Sequence, residues 1–110
     1  VSQAPAAAQA FLLEPGTGGQ VHARGPLTFA TARAARLAGI ALLAGAPPQP
    51  PLVMDCTQVQ PADSAGLAVL IDWLAAAKAS GHALRFVGLP QELAALARIS
   101  ELQELLERGV

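Results

Sequence analysis

The chain has 110 residues and a mass of 11.2 kDa, the size of one domain. Hydrophobic residues make up 53% and charged residues 14%, which excludes disorder for the bulk of the chain. Seven Lys+Arg against eight Asp+Glu leave a net charge of −1, without the basic excess of a nucleic-acid or anionic-lipid binder, and one cysteine excludes a disulfide framework or a cysteine-rich zinc module.

Residues 1–10 are rich in Ala and Gln and read as a loose leader ahead of a single domain at 11–110. They carry no positive charge and no apolar core of signal-peptide length. The greasiest stretches, 37–46 and 65–77, are walled by Arg36 and Pro47 or interrupted by Asp72. Both fall short of the roughly 20 apolar residues of a spanning helix, so a cytoplasmic protein is expected.

Phe11, Leu12, Leu13 and Glu14 make a short strand signal, stopped by Pro15, Gly16, Thr17, Gly18 and Gly19. That cluster suits a hairpin turn, because glycine takes positive φ without steric cost. Residues 20–24 return as a second strand, which Gly25 and Pro26 end. Thr28 is then the expected N-cap of a helix over 29–45. In it Leu37, Ile40, Ala41 and Ala44 fall at i, i+3, i+4 and i+7, a helical apolar stripe. The proline-rich run 45–51 can neither continue a helix nor sit in a central strand.

Leu52, Val53, Met54 and Asp55 read as a third strand, and consecutive apolar residues suggest burial on both faces. Residues 55–63 are expected as a loop. Ser64, Ala65, Gly66 and Leu67 open a second helix with the stripe Leu67, Leu70, Ile71 and Leu74, ended by Ser80, Gly81 and His82. Residues 84–87 are a fourth strand, and Pro90 leads into a helix over 91–97. Ile99, Ser100 and Glu101 interrupt it before a short last helix at 102–106. The order β-β-α-β-α-β-α-α predicts an α/β fold: a mixed sheet of about four strands, with a parallel core, an antiparallel edge hairpin and about four helices.

Most catalytic options fail at once. The glycines at 16, 18 and 19 lack the Lys-Ser/Thr of a phosphate-binding loop. His22 and His82 lie far apart in sequence. Cys56 sits at a strand end where a nucleophile could stand, but no His neighbours it, and a small buried thiol is the commoner use. Asp55 and Asp63 flank one expected loop and could hold Mg²⁺, although turns and caps use such aspartates more often. No metal and no cofactor is assigned.

The segment 63–68, Asp-Ser-Ala-Gly-Leu-Ala, is the most informative. It places a hydroxyl residue, Ser64, at a helix start just past an interior strand, where it would cap the first free amides. It is either a plain capped helix with a glycine for close approach, or a corner that a partner reads. Trp73, away from the leucine stripe at 100° per residue, is either an interface anchor or a sheet-covering residue.

Residues 52–55, then 63–68, a helix and 84–88 together resemble a STAS domain, the sulfate-transporter and anti-sigma-factor-antagonist family. Gly25, Pro26, Leu27 and Thr28 resemble its strand-to-helix turn, and 99–102 its closing helices; the likeness spans about 11–108. In anti-sigma-factor antagonists the segment is Asp-Ser-Ser/Thr-Gly, with the second hydroxyl phosphorylated by a partner kinase. Here that place is Ala65. The small STAS subunits of Mla phospholipid transporters, the MlaB branch, resemble this chain more closely, with Asp-Thr/Ser-Ala-Gly-Leu-Ala. That resemblance implies a non-enzymatic cytoplasmic subunit of an ABC transporter, bound to its MlaF-like ATPase and through it to the permease, and serving outer-membrane lipid asymmetry. The partner-binding residues it implies are Asp63, Ser64, Ala65, Ala68, Asp72 and Trp73. Alternatives are an antagonist phosphorylated at Ser64 by an anti-sigma-factor kinase, and a stand-alone ligand-binding STAS domain.

Overall fold

The computed structural model describes residues 10–110, so the expected leader falls outside the described residues except for Ala10. Strand β1 (Leu12–Pro15) and strand β2 (Gln20–Leu27) form the antiparallel hairpin. Its turn closes through Gly16 N–H to the Gln20 carbonyl (2.7 Å) and Gln20 N–H to that of Thr17 (3.1 Å), with Gly18 and Gly19 at φ 64° and 83°. The strand does not stop at residue 24. It continues through Gly25 and Pro26, because register shifts after His22 and after Gly25 absorb the irregular pair without ending the ladder.

Helix α1 (Ala32–Gly45) begins later than expected, and Thr31, not Thr28, is its N-cap residue. Thr31 Oγ1 is engaged in the preceding turn instead, donating to the Pro26 carbonyl (2.8 Å) and accepting from Thr28 N–H (3.0 Å). The buried stripe also differs from expectation. Ala35, Gly39 and Leu43 face inward, while Leu37 is 50% exposed and Ala41 and Ala44 lie in solvent. From Leu37 to Ala44 the helix has no polar side chain, so periodicity alone could not choose the face. Packing chose the smallest residue, Gly39, to lie under Trp73.

Strand β3 (Leu52–Ala62) is eleven residues long, and the loop expected at 55–63 is its second half. It pairs in parallel with β2 from Val53, opposite Gln20, to Ala62, opposite Leu27. Nor is it buried on both faces. Leu52, Met54 and Cys56 point into the core, whereas Val53 and Asp55 are only partly covered. Helix α2 (Ser64–Ala79) leads to strand β4 (Leu84–Val87), parallel to β3. Helix α3 (Gln91–Ile99) and helix α4 (Gln103–Arg108) follow, with Pro90 and Leu102 as N-cap residues.

The strands lie in chain order, β1-β2-β3-β4. Crossovers of one hand that advance in one direction across a sheet leave their helices on one face. Alternation along the strands agrees with this. Val21, Ala23, Met54, Cys56, Leu84 and Phe86 are buried in one cluster with the helices, and His22, Arg24, Thr57 and Arg85 are exposed on the other face. Trp73 is the largest member of that cluster and 0% exposed, with Phe11 and Phe86 at ring-centroid distances of 6.0 and 6.4 Å. Among the described residues no helix is long and apolar enough to cross a membrane.

Candidate functional site

At the C-terminal ends of β2 and β3, the chain turns into α1 and α2 side by side. Asp63 makes that corner. It adopts an extended backbone conformation before α2, and its Oδ1 accepts from the N–H groups of Ala65 (2.9 Å) and Gly66 (3.2 Å). Its Oδ2 accepts from Phe29 N–H at 3.0 Å, across 34 residues of sequence. One carboxylate thus caps α2 and fixes the turn before α1. The expectation that Ser64 caps the helix is corrected. Asp63, a stronger acceptor one residue earlier, occupies that role, and the Ser64 side chain lies exposed.

The glycine after them serves close approach. A Cβ on Gly66 would overlap the Leu27 carbonyl oxygen, which itself accepts from Asp63 N–H (3.3 Å). The start of α2 is therefore seated directly on the end of β2. Along the outward side of α2 the structure places Ser64, Ala68 and Asp72 in solvent and Ala65 half-covered. Asp72 pairs with Arg36 of α1 (3.4 Å), both side chains half-exposed, which ties the helices loosely at their surface. Trp73 does not belong to this face. Its indole N–H donates to the Arg36 carbonyl (3.2 Å) in the interface between α1 and α2, so the sheet-covering alternative is the observed one.

Sequence reasoning missed Phe29. It is 84% exposed at the same corner, in the turn whose amide Asp63 holds. It belongs to no apolar period; the available signal was a large aromatic residue stranded between two threonines in a turn.

The remaining candidates do not form a reactive centre. Cys56 is fully buried, and burial pushes its thiol up to about 12, with Asp55 adding to the effect. Asp55 lies near the start of β3 and Asp63 caps α2 beyond its far end, with most of an extended strand between them, so they do not share an ion. Among the described residues no group of three or more His, Cys, Asp or Glu is placed to hold a metal. The Thr57 N–H (2.9 Å) and then its hydroxyl hold the Asp55 carboxyl below its ordinary pKa, and His22 lies 3.8 Å away. His82 is satisfied structurally, with Nε2 against the Ala46 carbonyl and Nδ1 against Ser80 Oγ, each at 2.8 Å. A groove of about 850 Å³ between the hairpin and the second half of α1 is lined by Phe11, Leu13, Ala38, Leu42 and Leu52, with no charged side chain among its described residues.

A four-stranded sheet of this order, antiparallel only at its first pair, with the capped helix α2 leaving its central parallel strand, is the STAS fold. Among solved structures, the chain is similar to the anti-sigma factor antagonist SpoIIAA in its unphosphorylated form. The TM-score is 0.68 over 86% of this chain and 84% of that one, at 18% sequence identity. A search of curated proteins gives no match. The family model described as "Mlab, STAS domain" matches residues 11–107, and the chain belongs to that family.

Proposed function

We propose that this chain is a non-enzymatic, cytoplasmic STAS subunit that binds the ATPase of a bacterial phospholipid ABC transporter and stabilises its productive assembly. Through the ATPase it would meet the permease and serve outer-membrane lipid asymmetry. The observation that carries this is the outward face of α2. Asp63 takes over the capping, which leaves the Ser64 hydroxyl free beside the small residues Ala65 and Ala68. Small residues let a partner backbone approach closely, and an unengaged hydroxyl can then bond to it. The family match supports the same assignment. The buried Cys56 thiol is not placed to act as a nucleophile, which fits a binding role.

The test is an affinity pull-down of the tagged chain from its own bacterium in detergent, with Ala68→Arg as a matched variant. Ala68 is exposed on α2, so the arginine is tolerated by the fold but blocks close approach. Recovery of an ABC ATPase with its permease by the wild-type chain, lost in the variant, is the expected result. Recovery by both would remove the α2 face from the interface.

The likeness to SpoIIAA supports a second reading, an anti-sigma-factor antagonist. At the usual phosphorylation place Ala65 has no hydroxyl, so the modification would have to fall on the exposed Ser64. Intact mass after incubation with the cognate kinase would show one added phosphate if this reading holds.

A further inference from the structure

Phe29 is the most exposed large hydrophobic side chain among the described residues, at 84%. A phenylalanine left in water forgoes the burial that favours large apolar side chains in the interior. A flexible loop would let such a ring fold back onto the protein, but this turn is braced. Thr31 N–H donates to the Thr28 carbonyl (3.0 Å), Thr31 Oγ1 bonds to Thr28 N–H and the Pro26 carbonyl, and Asp63 accepts from Phe29 N–H itself. The backbone is held on both sides while the ring stays outside.

The surroundings of the ring indicate what would cover it. The residues beside it, Thr28, Ala30, Thr31, Gln60, Pro61, Ser64 and Ala65, are small or uncharged, and Arg24, which lines the same groove as Thr28 and Pro61, is paired with Glu14. Of the two carboxylates at the corner, Asp63 already accepts three backbone N–H groups and Glu92 Oε1 accepts from Ala62 N–H (3.4 Å). An exposed aromatic residue among small and uncharged polar neighbours has the composition of the core of a protein–protein interface. The nearby cations Arg24 and Arg33 stand against the carboxylates Glu14, Asp63 and Glu92, so the corner has no basic excess to favour an anionic membrane surface or a nucleic acid. The patch is also continuous with the outward face of α2, because the same Asp63 carboxylate sets the position of Phe29 relative to Ser64 and Ala65.

We infer that Phe29 is an anchor of the partner contact: it inserts into an apolar pocket of the protein that docks on Ser64 and Ala68, and Asp63 holds ring and helix start in fixed register. This rests on the reading given above, with the transporter ATPase as that protein. A ring presented in its bound position loses little freedom on docking, so its burial adds to affinity with little ordering cost.

The test measures binding of the purified MlaF-like ATPase of the same bacterium to the wild-type chain and to Phe29→Ala, Phe29→Leu and Ala68→Arg. Thermal unfolding checks that each variant is folded. Phe29→Ala should weaken binding by about thirtyfold or more, Phe29→Leu should recover part of it, and the melting temperature should not fall. If Ala68→Arg abolishes binding while Phe29→Ala binds as the wild type does, the anchor is refuted and the α2 face stands. If the wild-type chain does not bind the ATPase, both ideas fall. Two further outcomes overturn the anchor. One is flotation of the wild-type chain with phosphatidylcholine–phosphatidylglycerol vesicles that Phe29→Ala loses, its ATPase affinity being unchanged. The other is self-association on sedimentation that Phe29→Ala abolishes with the same unchanged affinity.

Discussion

Replacing Gly39 by Ala is expected to destabilise the fold, although it is a glycine-to-alanine change in the interior of a helix. Helix propensity alone favours the alanine by about 1 kcal/mol. Against this, a Cβ on Gly39 would overlap the indole of Trp73 at Nε1, Cε2 and Cδ1. The indole has nowhere to retreat, because it is fully buried with Phe11 and Phe86 packed beside it. Overpacking of this kind costs about 1–3 kcal/mol. Moving Nε1 away from the Arg36 carbonyl would leave a buried donor unpaired, at about 1–3 kcal/mol more. The net loss is about 1–5 kcal/mol, which at about 4–8 °C per kcal/mol lowers the melting temperature by at least about 4 °C. Thermal unfolding followed by circular dichroism measures it, and urea unfolding followed by the fluorescence of Trp73, the sole tryptophan, reports on the contact itself. Gly45→Ala is the control. It lies on the same helix, a Cβ there meets open space, and its effect should stay within about 0.5 kcal/mol. A Gly39→Ala chain that melts at or above the wild-type temperature would refute the reasoning.

Three more outcomes follow from the same geometry. Asp63→Ala should cost about 1–2 kcal/mol in urea unfolding, because its carboxylate serves the start of α2 and the turn before α1, whereas Ser64→Ala should change stability by less than about 0.5 kcal/mol; equal losses would return the cap to Ser64. The Cys56 thiol, pushed up to about 12 by burial, should react with iodoacetamide at pH 8 only through unfolding, so its rate should rise with added urea; native-state alkylation as fast as that of a free thiol would contradict its placement. For Asp55, the Thr57 N–H holds the folded-state pKa below the unfolded value. The stability it contributes is therefore present above about pH 4 and lost as pH falls through the folded-state value. Asp55→Asn should flatten that acid limb in stability measured against pH, and identical limbs would count against the hydrogen bond.

The architecture was legible in the sequence because punctuation and period agreed. Pro15 to Gly19, the proline run at 45–51 and Gly81 each stop an element for a local reason, and of the stripe Leu67, Leu70, Ile71 and Leu74 all but the partly covered Ile71 are buried. Illegible features were those that a neighbour decides. Ala35, Gly39 and Leu43 face inward because Trp73 needs a glycine beneath it, a demand made from α2 and invisible within α1. Likewise residues 56–62, with Thr57, Gln58, Gln60 and Pro61, have the composition of a loop. They extend as strand because β2 runs alongside them past Gly25 and Pro26, and the register shifts let both irregular segments stay paired.

In the segment 63–68 the capping role is displaced by one residue from the expectation. Asp and Ser in succession before a helix both have the chemistry of a cap, and only the backbone decides which side chain points at the free amides. The structure gives that position to Asp63, whose second oxygen then reaches Phe29. On the proposed function, this exchange separates two roles. A capping serine is committed to its own helix, and a partner that used its hydroxyl would have to compete with the fold. With Asp63 in the cap, Ser64 can be altered without cost to the helix, and its neighbours Ala65 and Ala68 add no bulk above it. On the proposed function, stability and recognition at this corner fall to different residues, so substitution can separate them. A chain with Ser64→Ala should melt like the wild type and lose affinity for its partner; a chain with Asp63→Ala should lose stability first and, by releasing the Phe29 turn, affinity as well.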